Sequence, residues 1–249
     1  MEVHHHPDLH HKKKNFKEYF LEFIMIFLAV TMGFFAESIR ENVSHHKREK
    51  EFMHSMVEDL KSDTANINSF TGKANQAIDE MDSLVHLMRR PDREKYGQTI
   101  YYFARAVTTK VTRFKLNDRT YEEMKSSGSL GLIANNELSD SISNYYAKQT
   151  HFKEQADLQL QKLSAYTDFA GKVFDGAIFQ EMMQRFPYKV VMPQGNPSLL
   201  TSDHNTINEF VGLLHYYCAI SIINTSYAEQ EKDVTTHLIK MIEDKYHLQ

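Results

Sequence analysis

The sequence predicts an all-α protein: one N-terminal transmembrane helix that continues into a long helix, followed by an antiparallel helical bundle. Three observations carry this expectation. Nine Gly and five Pro in 249 residues are too few turn-formers for a sandwich, barrel or propeller. Apolar residues recur at steps of three, four or seven along most of the chain, the period of a helix and not of a strand. Residues 20–36 contain one ionisable side chain, Glu22, in a run that as a helix covers about 25 Å of a hydrocarbon layer about 30 Å thick. With 41% hydrophobic and 25% charged residues, composition excludes disorder throughout. The balance of 29 basic and 33 acidic residues creates no field to recruit nucleic acid, so no nucleic-acid partner is expected. The single cysteine, Cys218, excludes a disulfide framework and a cysteine-based zinc or iron–sulfur site. Set among Tyr216, Tyr217, Ala219 and Ile220, it reads as an inert buried thiol.

Residues 1–18 form a basic, His-rich tail, with His4, His5, His6, His10 and His11 and the cluster Lys12, Lys13, Lys14 and Lys17. Imidazoles can bind zinc or nickel, yet a run of this kind reads first as a solvated tail. Residues 19–37 are the transmembrane helix, with Tyr19 at headgroup level and the lysines reaching outward. A cleaved signal peptide is the rival reading, but a cut after Ala36 would place bulky Phe34 where a small residue belongs. Four basic residues precede the span and four follow it (Arg40, Lys47, Arg48, Lys50). The tighter tail cluster tips the expectation to a single pass with the N-terminus in and the C-terminal bundle out. At 100° per residue, Glu22, Ala29, Gly33, Ala36 and Arg40 fall within about 40° of one line. Small residues beside a carboxylate read as a transmembrane packing face; the rival reading is that Glu22 snorkels to the interface and the alignment is chance.

Residues 38–90 predict a long juxtamembrane helix with a heptad-like seam of Met53, Met56, Leu60, Ile67, Phe70, Ala74, Ala77, Met81, Leu84 and Met88. Unbroken over 18–90, it would hold about 73 residues and extend roughly 110 Å, with Gly72 as a soft point. Pro91 stops it, and Asp92 is a candidate cap for a second helix over 93–114 that buries Ile100, Phe103, Ala104, Val107 and Val111. Residues 91–249 are expected to form the bundle packing with the long helix. Thr120 to Glu123 has capping-box form, and Ser127-Gly128 ends that short helix with Gly in a left-handed cap. Thr120, Glu123, Ser127 and Gly128 thus define a structural elbow. Leu130, Leu132 and Ile133 plug the turn that follows. Asn135-Asn136 caps a long helix through Leu138, Ile142, Tyr145, Phe152, Leu158, Leu163, Tyr166, Phe169 and Phe174, ending near Phe186-Pro187. Residues 187–203 read as the one extended loop. The final helix, 202–246, buries Ile207, Phe210, Leu214, Tyr217, Ile220 and Ile223. Its best apolar run, 210–223, is too short for a second span.

The segments Phe20-Leu-Glu-Phe-Ile-Met-Ile-Phe-Leu-Ala-Val-Thr-Met-Gly-Phe-Phe-Ala-Glu37, Glu58-Asp-Leu-Lys-Ser-Asp-Thr64, Thr120-Tyr-Glu-Glu-Met-Lys-Ser-Ser-Gly128, Leu132-Ile133 and Tyr145-Tyr146 together resemble an uncharacterised bacterial family of single-span, membrane-anchored helical proteins, known chiefly as domains of unknown function. The resemblance covers residues 16–146. It implies an anchor, a helical fold and a bacterial envelope location, which with the N-in orientation means a single pass through the inner membrane and a bundle in the periplasm, and it carries no catalytic residue.

No HExxH, Walker A, GxGxxG, GxSxG or CxxC pattern occurs, and no paired ExxH elements on separate helices suggest a di-metal site. Neither enzymatic activity nor a cofactor or metal is expected. His45-His46 beside Lys47-Arg48 can meet anionic headgroups, though neighbours about 100° apart cannot easily share a metal and read as a solvated face. Two functions remain. One is a structural or interaction protein that lies in the lipid bilayer and holds copies of itself, or a polytopic membrane protein. The other is a ligand-sensing helical module, with Tyr145, Tyr146, Tyr216 and Tyr217 lining a pocket and a membrane partner carrying its signal, the roughly 18 residues before the span being too few for an output domain.

Overall fold

The computed structural model describes residues 15–110 and 115–248. The His-rich run and Lys12 to Lys14 of the tail, and Val111, lie outside them. Among the described residues the chain is all-α apart from one two-stranded pairing. The helices are α1 (Phe16–Met88), α2 (Gly97–Ala106), α3 (Arg119–Ser126), α4 (Asn136–Ala147), α5 (Gln149–Ala170), α6 (Gly176–Glu181) and α7 (His204–Tyr246), with 3-10 turns at Arg93–Tyr96, Val107–Thr109 and Ser129–Leu132. The chain divides into two compact units, one ending at Glu51 and one starting at Phe52.

In the first unit α1 presents apolar side chains without covering them. Phe20, Leu21, Phe23, Met25, Ile26, Phe27, Leu28, Val30, Met32, Phe34 and Phe35 are each 50–74% exposed. Thr31 turns its hydroxyl back onto the Phe27 carbonyl at 2.8 Å, which is how a helix hides a hydroxyl in apolar surroundings. A Cβ added at Gly33 would meet nothing within 4 Å. Arg40 forks onto Glu37, with Nε donating at 2.9 Å.

The second unit uses the expected seam. Met53, Met56, Leu60, Ile67, Phe70, Ala74, Ala77, Met81, Leu84 and Met88 are all buried, and Gly72 leaves α1 unbroken. The seam is spent inside the chain. Residues 77–88 of α1 share one apolar cluster with α2, the end of α5 and residues 207–220 of α7. Residues 52–60 share another with α4, Met124, Leu238 and Ile242. The pairs Asp82–Cys218, at 3.7 Å, and Lys61–Glu243, at 2.8 Å, show α7 running antiparallel to α1. Gln159–Ser221 at 3.1 Å and His151 on Tyr227 set α5 antiparallel to α7 as well. By length and composition α7 also qualifies as a membrane-crossing helix, against the expectation of one candidate, but 39% of its apolar window is buried.

Several expected elements are shorter. Asp92 does not cap; its carboxylate takes the Arg90 guanidinium at 2.9 and 3.2 Å. The second helix starts four residues late, at Gly97, because loop 193–202 folds over its N-terminus. Asn196 accepts from Gln98 N–H at 3.1 Å and donates to Glu94 O at 2.7 Å, while Tyr101 reaches Ser198 O. Gly97 lies so close that a Cβ would sit 2.0 Å from Pro197 O. The long helix expected from Asn136 begins as expected, Asn135 accepting from Leu138 N–H at 3.0 Å, but breaks at Lys148 and ends at Ala170. Asp175 caps a fresh short helix at Ala177 N–H, and Met183–Gln184 pairs antiparallel with Lys189–Val190. Leu158 is 36% exposed, and Ile223, expected in the α7 stripe, is 44% exposed; Asn224 takes the inward position.

At the elbow, Ser127 closes α3 and Gly128 follows at φ +71°, the left-handed cap that Gly adopts freely. The Ser127 hydroxyl donates to Glu123 O at 2.8 Å. Gly128→Val, which strains this φ whatever the surrounding space, is expected to destabilise the protein by about 1 kcal/mol or more, read from the shift in its melting curve.

Candidate functional site

The capping box does not form. Asp118 precedes α3, so Thr120 lies inside the helix, and its N–H and hydroxyl both point across to Asp59 Oδ2 on α1, at 3.0 and 2.5 Å. An acceptor on another helix thus replaces the reciprocal Glu123 contact that the local pattern predicted. Asp59 Oδ1 accepts from Asn117 Nδ2 at 2.9 Å and from the Arg119 guanidinium at 3.0 Å. One turn on, Asp63 Oδ1 accepts from Asn117 N–H at 2.7 Å, and Oδ2 from the Tyr145 hydroxyl at 2.8 Å. Both carboxylates are buried. Tyr145 Oη lies 3.2 Å from Thr235 Oγ1 on α7. Tyr146 donates to Asn117 O at 3.2 Å and packs its hydroxyl on Met56 Sδ. Residues 117–120 are thereby latched to α1, and α1 to α4 and α7.

This latch unites motifs far apart in sequence: the aspartates of Glu58–Thr64, the head of Thr120–Gly128 and the Tyr145-Tyr146 pair. It adjoins the second apolar cluster, to which Met56, Met124, Tyr145 and Tyr146 belong. Beyond it, Lys148 at the α4–α5 break donates to Glu231 at 2.8 Å, and Gln159, Ser221 and Asn224 form a buried amide–hydroxyl group. Burial pushes the Asp63 carboxyl up to about 6, against the pull of its two donors, and pushes the Tyr145 and Tyr146 phenols far above their ordinary range. These phenols stay neutral donors. Burial also raises the Cys218 thiol to about 11, which suppresses the reactive thiolate.

On the outer side, Tyr146 stacks on Tyr121, centroids 4.4 Å apart. The pair forms one wall of a cleft of about 590 Å³ whose rim carries Lys125, Lys153, Asp118 and Asp157. Among the described residues, no group of three or more His, Cys, Asp or Glu side chains is placed to hold a metal ion. The stripe of Glu22, Ala29, Gly33, Ala36 and Arg40 lies in the first unit and Thr120, Glu123, Ser127 and Gly128 in the second. Of these, only Thr120 joins the latch.

A scan against protein-family models finds no match to the chain, and searches of curated proteins and of solved structures find none.

Proposed function

We propose that this is a membrane-anchored interaction protein of the bacterial inner membrane, of the uncharacterised single-span type its motifs resemble. Residues 19–37 cross the bilayer, and the helical bundle that follows scaffolds copies of itself or a polytopic membrane protein on the periplasmic side. One observation carries this reading: an apolar helical run whose side chains are 50–74% exposed among the described residues. In water that surface costs roughly 25 cal/mol per Å², and lipid removes the cost. The stripe of Ala29, Gly33 and Ala36 beside Glu22 supports a helix partner within the bilayer. The seam gives no added support for self-association, being already filled by the chain's own helices. No catalytic chemistry belongs to this reading.

The anchor is tested by fractionation: the protein should stay with membranes through high-salt and carbonate washes, and release by salt would overturn it. The packing face is tested by Gly33→Leu, which should dissociate the assembly in mild detergent while Phe27→Leu leaves its size unchanged. Disulfide cross-linking through single cysteines at 29 and 33, compared with 27 and 30 in a Cys218→Ser background, reads the geometry directly. The cleft beside Tyr121 and Tyr146 favours the second reading, a ligand-sensing module. That reading requires a compound whose binding is lost in Tyr121→Ala.

A further inference from the structure

Asp63 differs from Asp59 in one respect that bears on chemistry. Asp59 faces the Arg119 guanidinium at 3.0 Å; the two hydrogen bonds to Asp63 come from neutral donors, a backbone amide and a phenol. The charged and titratable groups around it are Asp59 on α1, Asp118 and Arg119 where the chain enters α3, and Tyr145 and Tyr146 on α4. On α7 the facing group is the neutral Thr235 hydroxyl, with the Glu231–Lys148 pair one turn away. Two further carboxylates and a low-dielectric interior both disfavour a charge here.

We propose that Asp63 is a proton-binding site whose occupancy reverses the hydrogen-bond chain from α1 through Tyr145 to Thr235 and leaves every member paired. In the ionised state the Tyr145 O–H donates to Asp63 Oδ2, and the Thr235 hydroxyl donates to Glu231 O at 2.7 Å. When a proton from solvent adds to Oδ2, that O–H donates to Tyr145 Oη. The Tyr145 proton then turns to Thr235 Oγ1, 3.2 Å away, which keeps its own bond to Glu231 O. Asp63 Oδ1 accepts from Asn117 N–H in both states. No buried donor is orphaned, so uptake avoids the desolvation penalty that usually opposes rearrangement in a core.

The carboxyl lies at about 6 in the folded chain and about 3.9 in an unfolded one. The folded state therefore binds more protons between these values, and the contribution of Asp63 to stability falls as pH rises from about 4 to about 6. Asp63→Asn fixes the protonated pattern, its Nδ2 donating to Tyr145 Oη. Urea unfolding of the full chain in detergent micelles is compared for wild type and Asp63→Asn at pH 4.5 and 7.5. The ratio of their unfolding constants should change by about 20-fold, wild type losing ground at pH 7.5; an unchanged ratio overturns the proposal. Infrared spectroscopy of the ¹³C-aspartate-labelled wild type gives a readout that survives a misfolded variant. A buried protonated-carboxyl band should titrate near pH 6 and move to higher pH in Tyr145→Phe, which removes a donor to the ionised form. The absence of any aspartate band titrating between pH 5 and 7 overturns the proposal.

Discussion

Replacing Asp59 with alanine is expected to destabilise the protein by about 3–5 kcal/mol, the range for removing one partner of a buried charged cluster. The carboxylate accepts from four donors: Asn117 Nδ2, the Arg119 guanidinium, Thr120 N–H and the Thr120 hydroxyl. Thr120 is buried, so its N–H and hydroxyl are left without water to replace the oxygen they lose. Arg119 is different, its side chain 69% exposed. Arg119→Ala should therefore cost less than Asp59→Ala, because three donors to the buried Asp59 carboxylate remain: Asn117 Nδ2, Thr120 N–H and the Thr120 hydroxyl. Urea denaturation of the two variants separates the contributions. Equal losses would mean that the ion pair, and not the buried hydroxyl and amide, holds residues 117–120 to α1.

Gly97→Ala is expected to cost about 3 kcal/mol, the upper part of the range for forcing extra volume into packed structure. The added methyl would lie 2.0 Å from Pro197 O, 3.0 Å from Pro197 C and 3.1 Å from Asn196 Oδ1. Backbone cannot swing aside as a side-chain tip does, so the loop must lift. The bonds of Gln98 to Asn196 and to Pro193 O would go with it. Gly212→Ala is the matched control: a Cβ there meets nothing within 4 Å, and within α7 it should gain up to about 1 kcal/mol in helix propensity. Thermal melts of both variants check the contrast, and a neutral Gly97→Ala would show that the loop does not lie on α2.

Periodicity made the apolar part of this fold legible, and the same periodicity contained the latch unread. The α1 seam steps from Leu60 to Ile67, a gap of seven whose inward position is Asp63. A charged residue at a seam position is read as an interruption, yet it is the place where a polar partner must come from another helix. On α7 the inward positions after Ile220 are held by Asn224, Glu231 and Thr235, and the hydrophobicity of Ile223 drew the expected stripe one residue aside. Thr120 was misread for a related reason. Its local pattern fits a capping box, and only the chain's return past α1 supplies the stronger acceptor. Gly97 was invisible, because the neighbour that demands glycine is a backbone carbonyl one hundred positions later. Gly128 and Asn135, whose roles are settled within a turn of themselves, were placed correctly.

The antiparallel pairing of α1 with α7 also bears on biosynthesis. Asp82 and Cys218 are 136 positions apart, and a ribosome adding about 5–20 residues per second needs on the order of ten seconds to traverse that interval. Throughout it the methionine-rich side of the first long helix has been made while its last neighbour has not. The nascent chain therefore carries an adhesive surface for seconds, and a chain cut before His204 would leave bare the part of that surface that α7 covers. Such a product should be recognised by chaperones and proteases, which makes the closing helix the element that decides whether a newly made copy is kept.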